Sequence, residues 1–372
     1  MRHSWRIGRL FNIDIYVDSS WFLIFILFTW VLSTSYYPQR FPEWSTLQMW
    51  TLGTLTCLLL FASVLFHELA HSLVAIQQGE QVRRITLFIL GGVAQISGEP
   101  KEPLKEFTMA LAGPFASVML SVAFLLLSFG LHTVSRPLSA AAFYLCMINI
   151  ALAAFNMLPG FPMDGGRVLR SLIWKLTGDL QKATRIASRV GQGFAMLFIF
   201  LGIFQIIQGF LQGLWLIFIG WFLNNASTRG YTQVMFAGVL KGKKAADLMD
   251  PDFQTVPGRM SVQELVDDFM LQKRSRVFLV AEGADQVGIV CLEDVKALAR
   301  DSWAVTPVNS VMTPKDELVP VSPDTDGNEV LKTLTTRDLH QVPVMEEGRI
   351  VGIICRAELI RTIRLHSELK NR

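Results

Sequence analysis

Six apolar, nearly charge-free stretches before Asn225 constrain this chain more than any other feature: 21–37, 48–77, 106–131, 140–158, 191–208 and the shorter 211–223. Crossing a bilayer as a helix takes roughly 17–25 mostly apolar residues. Lipid offers the backbone no hydrogen-bond partners, so such runs must close their own bonds as helices. The sixth run is short, which leaves five or six spans open by length alone. No small-residue cleavage site follows the first run, where Thr34-Ser35-Tyr36-Tyr37-Pro38 stands, so it reads as a retained membrane helix and not a signal peptide.

Charge placement favours six spans. With a cytoplasmic N-terminus, Arg83, Arg84, Lys101, Lys105, Arg167, Arg170, Lys175, Lys182, Arg185, Arg189 and Arg229 all fall inside, and the outer loops keep only Arg40 and Arg136. That asymmetry is the positive-inside pattern, and it puts the C-terminal region in the cytoplasm as well. The expected setting is a prokaryotic plasma membrane, with the lipid bilayer as the first partner. A formal net charge of +3 does not indicate a nucleic-acid binder. Cys57, Cys146, Cys291 and Cys355 are scattered without a CxxC pair, so they read as packed, silent thiols and not as a zinc site or a disulfide framework.

Between the runs lie shorter signals. Phe11, Ile13, Ile15 and Val17 alternate with mostly polar neighbours and predict a strand before the first helix. Residues 84–96 are apolar and β-branched, too short to cross, and broken by Gly91-Gly92. They predict a re-entrant β-hairpin, with an ordinary interfacial loop as the alternative. From about Lys241 the composition becomes that of a soluble domain, and this tail repeats itself. Leu248-Met249-Asp250-Pro251 recurs as Val311-Met312-Thr313-Pro314, and Val287-Gly288-Ile289-Val290-Cys291 as Val351-Gly352-Ile353-Ile354-Cys355, a little over sixty residues on. Each unit reads as a helix, a strand, a turn and a second strand, so the pair forms two α/β halves with a cleft between them. The expected fold is thus a polytopic α-helical membrane protein of about six spans with a re-entrant hairpin (1–228), a linker (229–244) and a soluble α/β tandem domain (245–372, halves at about 245–300 and 308–364).

The chemistry concentrates in the second run, where His67-Glu68-Leu69-Ala70-His71 is an HExxH pattern. Residues four apart share a helix face, so both imidazoles can meet one metal. Glu68, beside the first ligand, is placed as general base. A chance match on a surface helix is the bland alternative, but residues 57–66 before the motif are almost wholly apolar, and polar groups there are costly without a function. A catalytic zinc takes a third protein ligand. His132 reads as a loop histidine. Asp164, on a segment broken by Pro159 and Pro162 and flanked by glycines, is equally readable as that ligand or as the N-cap of the helix that follows.

An HExxH in a membrane helix, followed about ninety residues later by Asn156-Met157-Leu158-Pro159-Gly160-Phe161-Pro162-Met163-Asp164-Gly165-Gly166, resembles the site-2 protease family of intramembrane metalloproteases over roughly residues 6–225. The resemblance implies one Zn2+ per chain on His67, His71 and Asp164, Glu68 as catalytic acid/base, and Asn156 holding substrate or oxyanion. It also implies Gly91 and Gly92 in a loop beside the site, Ala112-Gly113-Pro114 as the small-residue segment of the third core helix, and membrane proteins with transmembrane segments as substrates. The tail resembles a pair of cystathionine-β-synthase-type (CBS) modules, which implies an adenosine nucleotide (ATP, ADP or AMP) in the cleft, with Asp294 and Glu358 at ribose-contacting positions. Cys291 and Cys355 stand where that pattern has Thr or Ser, and a dimerising or structural tail is the alternative. A CBS-gated transporter or channel with a structural zinc is the competing reading of the whole. It leaves Glu68 without a role, since structural zinc needs no adjacent base.

Overall fold

The computed structural model describes residues 4–97, 102–240, 242–273, 276–283 and 285–369. Two compact units divide the chain, Met1–Thr232 and Gln233–Arg372.

The first unit opens with a hairpin. Strands β1 (Ser4–Leu10) and β2 (Ile13–Asp18) pair antiparallel around Phe11 and Asn12, both at positive φ. The sequence reading found β2, whose residues alternate buried and half-buried, but ran it through Phe11, which belongs to the turn. It missed β1, which is exposed along nearly its whole length and so has no apolar alternation to read. Asp18 caps α1 (Ser19–Val31), which continues through a π-turn at Leu32–Tyr36 into α2 (Tyr37–Arg40). Ser45 and Gln48 form a capping box that starts α3 (Thr46–Gln77). Strands β3 (Gln81–Phe88) and β4 (Gly91–Ser97) are the expected hairpin, but they do not stand alone. β3 pairs parallel with β2, giving one sheet in the order β1-β2-β3-β4 with β4 at an edge. Its inner face, Ile13 and Ile85, packs on Leu65 and Leu69 of α3, the residues that bracket His67 and Glu68.

Five helices follow: α4 (Pro103–Leu131) and α5 (Arg136–Asn156), α6 (Asp164–Thr177), then α7 (Leu180–Ile207) and α8 (Gly213–Leu240). Proline at the first turn of α4 and of α5 costs no hydrogen bond, because that N–H has no intrahelical partner. Among the described residues, Ser19–Arg40, Thr46–Gln77, Pro103–Leu131, Arg136–Asn156 and Leu180–Ile207 are long and apolar enough to cross a membrane. The sixth apolar run lies within α8 from Gly213 on. Basic residues 182, 185 and 189, read as loop charges, are instead the first turns of α7, and residues 229–240, read as linker, are helical. Lys101, one of the basic residues counted above, lies outside the described residues.

In the second unit α9 (Ala245–Leu248) and β5 (Thr255–Pro257) lead into a helical stretch, α10 (Val262–Glu264), a π-turn at Leu265–Met270 and α11 (Leu271–Lys273). Strands β6 (Val277–Glu282) and β7 (Asp285–Cys291), then α12 (Leu292–Lys296), complete the first half, and β8 (Thr313–Pro314), from the start of the second half, pairs with β7. Helix α13 (Gly327–Thr336), strands β9 (Gln341–Glu346) and β10 (Arg349–Cys355), and α14 (Arg356–Leu369) repeat it. The repeat motifs are exchanged between halves. Met249, from the first motif, lies on Gly352 of the second half, and Met312, from the second motif, lies on Gly288 of the first. Backbone pairs Asp250–Ile353 and Thr313–Ile289 accompany them. A Cβ at either glycine would overlap the methionine, so the glycines of the repeat serve packing. Burial pushes the Cys291 thiol up to about 11 and the Cys355 thiol up to about 12, as suits inert, packed thiols.

Candidate active site

Helix α3 presents His67 and His71 on one face, both buried, and α4 supports them. His71 Nδ1 lies 2.7 Å from the Met109 carbonyl. A carbonyl only accepts, so the imidazole donates from Nδ1, and in its neutral form Nε2 presents a lone pair. His67 Nδ1 is held at 2.8 Å by the hydroxyl of Ser117, itself fully buried. Gly113 lies between these two supports, and its missing side chain is the space the imidazoles fill: a Cβ there would stand 2.6 Å from His67 Nε2. Met109, Gly113 and Ser117 follow at helical spacing, so one face of α4 orients both rings.

Asp164 comes from the Pro-broken segment. It is the first residue of α6; the N-cap is Met163, and no side chain caps this helix. The capping alternative therefore does not describe it. Its Oδ2 instead lies 3.1 Å from His67 Nε2 and 3.1 Å from His71 Nε2, and those two nitrogens are 3.2 Å apart. Ligands about 2.0–2.1 Å from a tetrahedral zinc are separated by about 3.3 Å, so the triangle is close to one face of such a site. Neutral imidazoles in the tautomer imposed on His71 place three acceptors against one another, which is repulsive unless a cation lies among them. The donor set, its spacing and the outer hydrogen bonds on Nδ1 fit a zinc ion. Among the described residues this is the group of metal-ligating side chains that converges.

Glu68 faces the sheet. Gly92, at the start of β4, rests on it so closely that a Cβ would come within 2.5 Å of Glu68 Cγ. Among the described residues no hydrogen bond occupies its carboxylate, which leaves it free to accept a proton. Asn156 ends α5 half-buried, and no described hydrogen bond joins it to the histidines. The turn after it folds back so that Gly165, next to Asp164, lies on the Met157 and Leu158 carbonyls. His132 is exposed at the end of α4. In the tail, Asp294 Oδ2 accepts from the Cys291 N–H at 2.7 Å and so caps α12. Glu358 lines a cavity of about 240 Å3 with Lys243, Asp247, Asp250 and Cys355, and Asp294 is not among its lining residues. Sequence reasoning missed Ser117 and the Met109 carbonyl. A small hydroxyl four residues after Gly113 was a faint signal for the first, and a backbone carbonyl leaves none.

Comparison with known proteins places this architecture. The model of peptidase family M50 matches residues 55–136 and 132–199, and the CBS domain model matches 245–301 and 308–365. A protein of Synechocystis sp. named as a zinc metalloprotease is 38% identical over 370 residues, 98% of this chain and 96% of its own length. Rip3 of Mycobacterium tuberculosis, also named as a zinc metalloprotease, is 33% identical over 98% of this chain and 93% of its own. The solved site-2 protease of Methanocaldococcus jannaschii is 28% identical and covers 62% of this chain and 95% of its own, with a TM-score of 0.44. From the two near-full-length relatives and the family match, the chain belongs to peptidase family M50, the site-2 protease family of zinc metalloproteases, and carries a tandem pair of CBS domains.

Proposed function

We propose that this metalloprotease hydrolyses peptide bonds of membrane-embedded substrates, with zinc on His67, His71 and Asp164. The carrying observation is the convergence of those three ligand atoms beside an unoccupied Glu68 carboxylate. Zinc held there supplies Lewis-acid polarisation and a water acidified to a pKa of about 7. Glu68 takes the attacking water's proton and delivers it to the leaving amine. Asn156, the last residue of α5 before the turn that leads to Asp164, steadies the substrate carbonyl. An extended substrate adds to the free edge of β4, where Gly92 already touches Glu68, so strand pairing carries the scissile bond to the base. Proteomics of a strain carrying His71→Ala should reveal accumulated membrane stubs that the parent lacks; identical membrane proteomes would overturn the proteolytic reading.

The basic-residue asymmetry supports a cytoplasmic N-terminus, active site and tail. In a background freed of native cysteines, an impermeant maleimide should label Arg40→Cys on intact cells, and Val305→Cys, 82% exposed, only after permeabilisation. Labelling of both from one side would reject six spans.

The tail is proposed to bind an adenosine nucleotide, which the CBS match supports. The cavity at Glu358 is the described space for it, and Asp294, engaged in capping, contributes less than Glu358. Control of proteolysis requires that the nucleotide bind two tail arrangements unequally. Calorimetry of the purified chain should show binding of ATP, ADP or AMP that Glu358→Ala weakens at least about tenfold. No heat at millimolar nucleotide would make the tail a dimerising or substrate-docking module.

A further inference from the structure

Glu106 of α4 and Arg170 of α6 form an ion pair inside the first unit, with Glu106 fully buried and Arg170 6% exposed. Arg170 Nε donates to Glu106 Oε1 at 2.7 Å, and Nη2 donates to the same oxygen. Glu106 Oε2 is buried without a hydrogen-bond partner. The guanidinium lies 4.8 Å over the Phe161 ring. Phe161 is itself anchored: its N–H donates to the Ala187 carbonyl at 3.2 Å, and its carbonyl accepts from Ser227 Oγ. The pair thus ties α6 and the turn that precedes Asp164 to α4.

Stability is a poor reason for such a pair. Two charges taken out of water lose their hydration, and apolar replacements of similar volume for such a buried pair are often neutral or stabilising. Geometry supplies a better reason. Glu106, Met109, Gly113 and Ser117 follow at spacings of three, four and four along one face of α4. The last three orient His67 and His71. Glu106 joins the same rail to α6, whose first residue is Asp164 and whose seventh is Arg170. A planar guanidinium fixes direction as well as distance, which an apolar contact does not.

Resting on the ligand set proposed above, we propose that Glu106 and Arg170 are positioning residues that set the height and rotation of α6 on α4, so that Asp164 Oδ2 meets both imidazoles at once. The test is zinc affinity of the purified full chain, by competition with a chromophoric chelator, with the visible spectrum of the cobalt-loaded protein as a second readout. Glu106→Met/Arg170→Met should fold, bind zinc about 10–100-fold more weakly and show altered cobalt bands. Wild-type affinity and bands in that folded variant would reduce the pair to packing and overturn the proposal. Should the double variant not fold, Arg170→Lys keeps the buried charge without the fork, and it should weaken zinc several-fold and shift the bands; wild-type values there would overturn the proposal equally. Asp164→Ala is run beside them. Its retention of wild-type affinity would reject the ligand set and the positioning role together, whereas its failure to hold zinc beside a normal double variant rejects the positioning role alone.

Discussion

Glu68→Gln should leave the fold and one zinc per chain intact while lowering cleavage of a membrane substrate by about 10²–10⁴-fold, the usual contribution of a positioned general base. The amide has nearly the volume of the carboxylate, so the contact with Gly92 survives and no cavity forms. Neither imidazole depends on Glu68 for orientation, since Met109 and Ser117 hold both through Nδ1. What disappears is only an oxygen able to take and return a proton. Zinc content by metal analysis, paired with turnover of a reconstituted substrate, separates the two effects. Cleavage at the wild-type rate would sink the role assigned to Glu68.

Gly113→Ala should abolish zinc binding, with affinity reduced at least about 100-fold, beyond the usual cost of losing an outer-sphere support. In a helix interior the same change ordinarily stabilises by about 1 kcal/mol. Here the new methyl would stand 2.6 Å from His67 Nε2 and overlap His71 Nε2, on the side where the ligand atoms converge. The rings cannot simply swing away, because their Nδ1 bonds end on the same helix, at Ser117 and Met109. The expected product is therefore a folded helical protein without metal, observable as normal circular dichroism beside trace zinc. Stoichiometric zinc in the variant would mean that α4 lies elsewhere.

Much of this was legible without coordinates. Helix periodicity and hydropathy are local, so the membrane helices, the His67–His71 pair and the tail repeat could be read from neighbouring residues alone. Strand β1 could not, because its residues are exposed along nearly the whole strand and carry no alternation. Nor could the meaning of the repeated glycines: in sequence Gly288 and Gly352 are only matching positions of the repeat, yet each is the seat of a methionine from the other half.

The sequence by itself determined that two imidazoles and a carboxylate would sit four and one residues apart on an apolar helix, since a helix places i and i+4 together whatever surrounds it. Whether Asp164 capped a helix or met those imidazoles was undecided there, because both roles ask only for a carboxylate after a broken turn. Tertiary structure decided it, by placing α6 ninety-odd residues downstream against α3 and α4 with Met163 at the cap. It also decided the tautomer of His71, through a backbone carbonyl that every residue possesses and no side-chain pattern reveals. The Glu106–Arg170 pair is of the same kind: its partners are separated by 64 positions, and only packing brings opposite charges that far apart in sequence into one buried contact.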